Sequence, residues 1–161
     1  MPSAINTPTG ASQNGDTNKL MATLLDGGTA SGVSRSTIYF NGADTVPLAP
    51  AMNEPSKSTQ NFQNGSRENV TVDGGYQNDT IVCEYDADDY SAIDASRAQG
   101  LRWKIQRLLN GAQTPSDDGI AAILTVSEGP TLTVKTRQVP TMTVTITYVG
   151  TQDNPLDSAS I

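Results

Sequence analysis

The densest run of ligating side chains is Asp86-Ala87-Asp88-Asp89, and the chemistry it invites is a hard cation such as calcium. A calcium loop needs oxygen donors that continue at its fifth position and a carboxylate at its twelfth. Counted from Asp86, those positions hold Tyr90 and Arg97, so the pattern is absent. Carboxylates just ahead of a helix are accounted for more simply, because they favour its positive end. There is no histidine in the chain, which removes Ser-His-Asp and Cys-His mechanisms and most zinc sites. Asp-Gly-Gly at 26–28 and again at 73–75 reads as turns, since no phosphate-cradling loop follows a strand. Nothing in the sequence supports paired-carboxylate hydrolysis. Cys83, the only cysteine, lies in an apolar run and reads as a small buried hydrophobe with no intrachain disulfide open to it. The expectation is a non-enzyme with no metal and no cofactor.

Charge is more informative than catalysis. The 161 residues carry a net charge of −7, with 35% hydrophobic and 17% charged residues. Such a balance is too apolar for a wholly disordered chain and lean for a globular one. It fits a modest β core with long polar arms. An acidic surface does not grip nucleic acid through its phosphates; surplus carboxylates also simply confer solubility. Asp73, Asp79, Glu84, Asp86, Asp88, Asp89 and Asp94 follow one another with no Lys or Arg among them, and Arg97, Arg102, Lys104 and Arg107 come next. This segregation offers one acidic and one basic surface for pairing between subunits, or a solvated charged helix face. No secretory signal and no bilayer-spanning apolar run is visible. The sequons at Asn64, Asn69 and Asn78 read as chance matches in an Asn- and Thr-rich chain.

The elements that position these residues are mainly strands. Thr141 to Val149 alternates without a break: Met142, Val144, Ile146 and Tyr148 point one way, and Thr141, Thr143, Thr145 and Thr147 the other. The second face carries hydroxyls and methyls but no charge, which fits another sheet or a neighbouring subunit better than open water. Further strands are expected at Val33–Phe40, Arg67–Asp73, Asp79–Asp86, Ile120–Ser127 and Thr131–Arg137, with 67–73 and 79–86 pairing as a meander. Residues 1–32 read as an extended N-terminal arm whose apolar run Leu20–Leu25, a helical turn or a strand, anchors it on the core or on a neighbour, Leu24 and Leu25 included. Pro47, Pro50 and Pro55 make 44–65 an irregular projecting loop carrying Leu48, Met52 and Phe62. One helix is expected over 91–109, capped by Ser91 with Asp94 and stopped by Asn110-Gly111. Its stripe is Leu101, Ile105, Leu108 and Leu109, with Gly100 weakening the middle. Trp103 then falls about 200° around from Leu101, exposed beside Arg102 and Arg107 as an interface anchor, or covering the edge of its own sheet. The fold class is mainly β (α+β): a β-sandwich or half-open barrel over 33–150 with one flanking helix, followed by a polar tail at 151–161.

In the strand Asp79–Tyr85, the acidic turn Asp86-Ala87-Asp88-Asp89, the helix that follows, and the closing Thr-Val-Thr-Ile-Thr-Tyr-Val-Gly, the chain resembles the tail tube (major tail) proteins of long-tailed bacteriophages. The likeness covers about 33–150, and the segment 44–65 sits where those proteins place a protruding loop, though without a clear tight strand pair. The resemblance implies a virion structural protein made in the host cytoplasm. Its rings, hexameric in that family, stack into a hollow tube. Its partners would be itself and other tail proteins, with DNA as passing cargo and no membrane. Leu24, Leu25, Leu48, Met52, Phe62, Asp86, Asp88, Asp89, Arg97, Arg102, Trp103 and Arg107 are the expected subunit contacts, and Thr141, Thr143, Thr145 and Thr147 the expected sheet or lumen face. Other readings are a tail terminator, a head decoration protein, or a receptor- or carbohydrate-binding β-domain; the last wants clustered aromatics, and only 5% of residues are aromatic.

Overall fold

The alternating segment is strand β8 (Thr141–Tyr148), with its apolar residues buried and its threonines on the opposite face. The structure, a computed structural model, describes residues 18–27, 31–53, 56–61, 67–72, 75–109, 111–115, 117–132 and 139–157. β8 lies between β7 (Ile120–Thr131) and β5 (Asp79–Glu84). With β1 (Lys19–Leu24), β2 (Thr37–Tyr39) and β6 (Trp103–Leu108) they form a six-stranded sheet in the order β2-β1-β6-β7-β8-β5. Every neighbouring pair in it is antiparallel. β3 (Ser56–Asn61) and β4 (Arg67–Val72) pair with each other as a separate two-stranded sheet. The fold is therefore mainly β with a single helix among the described residues, α1 (Ala87–Ala98).

Register explains which residues make the core. Ile81 stands opposite Val144, Leu124 opposite Ile146, Trp103 opposite Ala122, and Ala22 opposite both Ile105 and Ile38. Each strand thus sends its alternate apolar residues to one face, where Ala92 and Ile93 of α1 cover them. There is one principal sheet and not two facing ones, and it curls. Glu84 N of β5, at one edge, donates to Asn41 O, just past β2 at the other edge, at 2.9 Å. The result is nearer to a half-open barrel than to a sandwich.

The helix is shorter and earlier than the stripe at 91–109 implies. Asp86 is its N-cap, accepting from Asp88 N at 2.9 Å and Asp89 N at 3.2 Å, where Ser91 and Asp94 were expected to act. At the other end Gly100 has φ +68°, the left-handed conformation that stops a helix. Gly100 N then reaches Arg97 O and Leu101 N reaches Ser96 O, at 3.1 and 2.9 Å. Gly100 is therefore the stop and not a weak middle. Beyond it the chain reads with period two: Trp103, Ile105 and Arg107 face the core from β6. The helical stripe through Leu101, Ile105 and Leu108 was a coincidence of spacing. Trp103 is 0% exposed, and its Nε1 donates to Ser96 Oγ at 2.8 Å, while Ser96 Oγ donates to Ile93 O at 2.9 Å. It is the rivet between helix and sheet, not a surface anchor.

Other boundaries also move. Leu20 and Ala22 are fully buried, so of the alternatives for the apolar run it is the strand docked on the core that forms, over 19–24, as an internal strand of the sheet; residues 1–17 lie outside the described residues. The strand expected over Val33–Phe40 narrows to Thr37–Tyr39. The segment expected to be irregular through 65 holds a strand, as 56–61 pair with β4; residues 54–55 and 62–66 lie outside the described residues. The expected meander of 67–73 with 79–86 does not form, because Ile81 and Cys83 are drawn to the core row of β8. The strand expected at 120–127 runs on through Thr131, and most of the one expected at 131–137 lies outside the described residues. Gly129-Pro130 is taken up by register shifts between Val126 and Thr131, the kind of irregularity where a strand tolerates proline. Residues 133–138 lie outside the described residues. The tail is tied down: Ala121 N donates to Pro155 O at 2.8 Å, and Gly150 passes so close to the Pro155 carbonyl that a Cβ would clash.

Replacing Trp103 by Ala is expected to destabilise the subunit by about 3–5 kcal/mol, as for other buried aromatics. A denaturant midpoint followed by circular dichroism checks this. An unchanged midpoint would return Trp103 to the surface.

Candidate functional site

The outer face of the sheet comes directly from the alternation. Thr145 of β8 stands between Thr80 of β5 and Thr125 of β7; Thr143 stands between Val82 and Glu128; Thr147 is opposite Ile123. Three strands thus combine into rows of hydroxyls and methyls, partly exposed, with no third sheet among the described residues. The face is not wholly uncharged. Thr143 Oγ1 donates to Glu128 Oε2 at 3.4 Å, and Glu84 stands opposite Thr141 at the margin. The four threonines named from sequence do share this face, and the neighbours that widen it could be found only through register.

At the margin of this face the sheet stops at β5. Glu84 N points away from β8, and alternation aims the backbone groups of Val82 and Thr80 the same way. β2 spans only three residues, so it closes against β5 at one end alone. Val82 is 51% exposed and Tyr39, across the seam, 44%. A cleft of about 310 Å³ marks the opening, with Arg35, Thr37, Tyr39 and Asn41 on one side and Glu84 to Asp86 on the other.

The acidic turn borders that cleft, but its charges are already engaged. Arg35 Nη1 lies 2.7 Å from Asp89 Oδ1 and 3.4 Å from Asp86 Oδ1, and Arg35 Nη2 lies 3.2 Å from Asp88 Oδ2. A guanidinium thus stands where the calcium reading would put a cation. Burial pushes the Asp89 carboxyl up, opposed by Arg35. Asp86 is held low, first by the helix N–H groups it caps. Ser34 Oγ donates to Asp88 O at 3.1 Å, and Gln99 Nε2 to Ser31 O at 2.5 Å, so 31–35 is stitched along α1. Arg35 escaped sequence reasoning. Its signal was that it is the only cation between Lys19 and Lys57, facing a long acidic run.

The expected basic surface is likewise consumed within the chain. Arg102 Nη2 and Nε contact the two Asp26 oxygens at 2.8 and 3.1 Å, and Nη1 reaches Asp157 O at 2.6 Å. This pair ties the end of β1 and the C-terminal segment to the start of β6. Arg107 is 7% exposed and donates to Pro47 O at 3.0 Å. Arg97 is exposed and pairs loosely with Asp94 at 3.6 Å. Leu24 packs on the core, and Leu25 N donates to Arg102 O at 2.9 Å. Of the apolar candidates, Leu48 (45%) and Met52 (62%) remain exposed; Phe62 lies outside the described residues. Buried Cys83 has its thiol pushed up to about 12, chiefly by desolvation, so it is inert as a nucleophile. The structure therefore brings together the threonines and the β5 edge, and separates them from the arginines. No known protein family matches this chain, and no curated protein does.

The Asp26 carboxyl is held low, first by its hydrogen bonds from the Arg102 side chain. A carboxylate with a lowered folded value contributes stability that is present above its ordinary value of 3.8 and lost as pH falls through the folded value. Asp86 acts in the same direction and Asp89 in the opposite one. Asp26→Asn is expected to lower stability at neutral pH by about 1–2 kcal/mol and to flatten the loss of stability on acidification below pH 4 or so. Denaturant titrations at several pH values check both effects.

Proposed function

We propose that this chain is a structural virion subunit, the tail tube protein of a long-tailed phage, which polymerises as stacked rings into a hollow conduit for DNA. The observation that carries the reading is the unclosed sheet. Among the described residues β5 has a strand partner on one side only, its exposed Val82 offers apolar contact, and its edge continues into a nearly uncharged threonine face. A free edge is a template for another chain, and a second copy supplies it here. The projecting β3–β4 hairpin has no pairing with the main sheet, and its approach carries exposed Leu48 and Met52. It is the element that reaches a neighbouring subunit.

Charge supports the passive part of this role. Arg35, Arg102 and Arg107 are spent on internal contacts, while the chain keeps its net −7. Hydroxyls bordered by Glu84 and Glu128 offer phosphates little to hold, Lys104 of β6 being a cation that register places on the same face, so DNA passes as cargo and is not bound. No reaction, metal or cofactor enters this role. Partners are further copies of this chain and other tail proteins, in the virion.

Electron microscopy of the purified chain tests this. Long hollow filaments are expected; isolated rings would favour a tail terminator, and persistent monomers at high concentration would overturn both. Val82→Pro removes an outward-facing N–H and no ladder bond to β8. It is expected to leave the denaturation midpoint within about 1 kcal/mol of the parent, as edge positions tolerate proline, while abolishing filaments.

A further inference from the structure

Arg107 does more than fill the core. It ends the inward-facing row Trp103, Ile105, Arg107 on β6, and its backbone N and guanidinium both address Asp117, at 3.1 and 3.6 Å. Its Nε donates to Pro47 O at 3.0 Å, which lies on the leg entering the β3–β4 hairpin. Its Nη2 is buried with no hydrogen-bond acceptor among the described residues, so the guanidinium is held mainly by Asp117 and by that leg. The leg leaving the hairpin is fixed beside it. The Tyr76 ring meets the Tyr148 ring edge-on at 5.9 Å, and Tyr148 Oη donates to Asp79 Oδ2 at 2.8 Å. Arg107 stands near enough to that hydroxyl to favour its ionised form, against burial and Asp79. The two legs join above this cluster: Met52 bridges Tyr76, Asn53 N donates to Gly75 O at 3.0 Å, and Gln77 N donates to Ala51 O at 2.8 Å.

We infer that Arg107 is a positioning residue, the post that fixes the root of the β3–β4 hairpin to the sheet and so sets the direction in which the hairpin projects. The sheet does not need it. β6 keeps its ladder to β1 and β7 through backbone groups, whereas no other side chain is seen to grip Pro47 among the described residues. A neutral hydrocarbon at 107 therefore loosens the root while the sheet stays closed. The consequence for assembly rests on the tube reading; the positioning itself does not.

Amide hydrogen exchange on the dissociated full-length chain tests the inference with Arg107→Met and Arg107→Lys. In Arg107→Met, exchange at Asn53 and Gln77 is expected to quicken about tenfold or more, the scale of a lost charged hydrogen bond, while Val144 and Ile146 in β8 stay unchanged. Arg107→Lys keeps one donor for Pro47 O and is expected to fall between the two. If Arg107→Met fails to fold, a selective quickening at Asn53 and Gln77 in Arg107→Lys still supports the inference. Rates at Asn53 and Gln77 that do not rise, or that rise only together with those of β8, overturn it. A loosened root with undiminished filament formation supports the positioning role and counts against the hairpin as an assembly element.

Discussion

The chain reversal at Gln99–Gly100 is the constraint on which the rest of the structure depends. Gly100 takes a positive φ that other residues adopt only with strain, and α1 ends there with the Ser96 and Arg97 carbonyls accepting from Leu101 N and Gly100 N. The next residues become β6, and β6 is the only strand pairing with both β1 and β7. Without that stop the N-terminal pair β2-β1 would have nothing to join, and the sheet would split into halves. Trp103, three residues on, then seals helix to sheet through Ser96. One turn thus determines where the helix stops, where the core lies and how the two ends of the chain meet.

Closing the sheet this way also settles the electrostatics. Once β6 is a strand, Arg102 and Arg107 point to places a helix would not have given them, one toward Asp26 and the C-terminal segment, the other into the core near Pro47. Arg35, Arg102 and Arg107 are each paired with carboxylates within the subunit, Arg35 with three aspartates. What remains outward is a neutral threonine surface with an acidic margin and an open edge. That combination turns attention from charge pairing between subunits to backbone pairing and shape.

How much of this was legible in the sequence depends on how local the signal was. β8 and β5 could be read because their alternation is unbroken and local. The threonine face followed from β8 alone. The helix end was misread because Leu101, Ile105 and Leu108 satisfy period 3.6 while Trp103, Ile105 and Arg107 satisfy period two, and only Gly100 arbitrates between them. β1 could be read only as a short apolar run, strand or helical turn, because Gly, Ser and Asn surround it and its place inside the sheet depends on β6, some eighty residues away. The grip of Arg35 on Asp86, Asp88 and Asp89, and that of Arg102 on Asp26, span long stretches of chain and have no local signature. The prolines of 44–55 correctly marked irregular chain but hid the strand that begins just after the last of them.

The central claim is that the sheet of one subunit is completed by its neighbours. A high-resolution electron cryomicroscopy reconstruction of the assembled chain tests it most directly, by showing what lies beside β5. The account predicts a strand of a neighbouring copy hydrogen-bonded to the outward groups of Thr80 and Val82, which the Glu84–Asn41 closure leaves open, with the threonine face turned to a common interior. An assembly in which the β5 edge faces solvent and the threonines lie on the outside would contradict it.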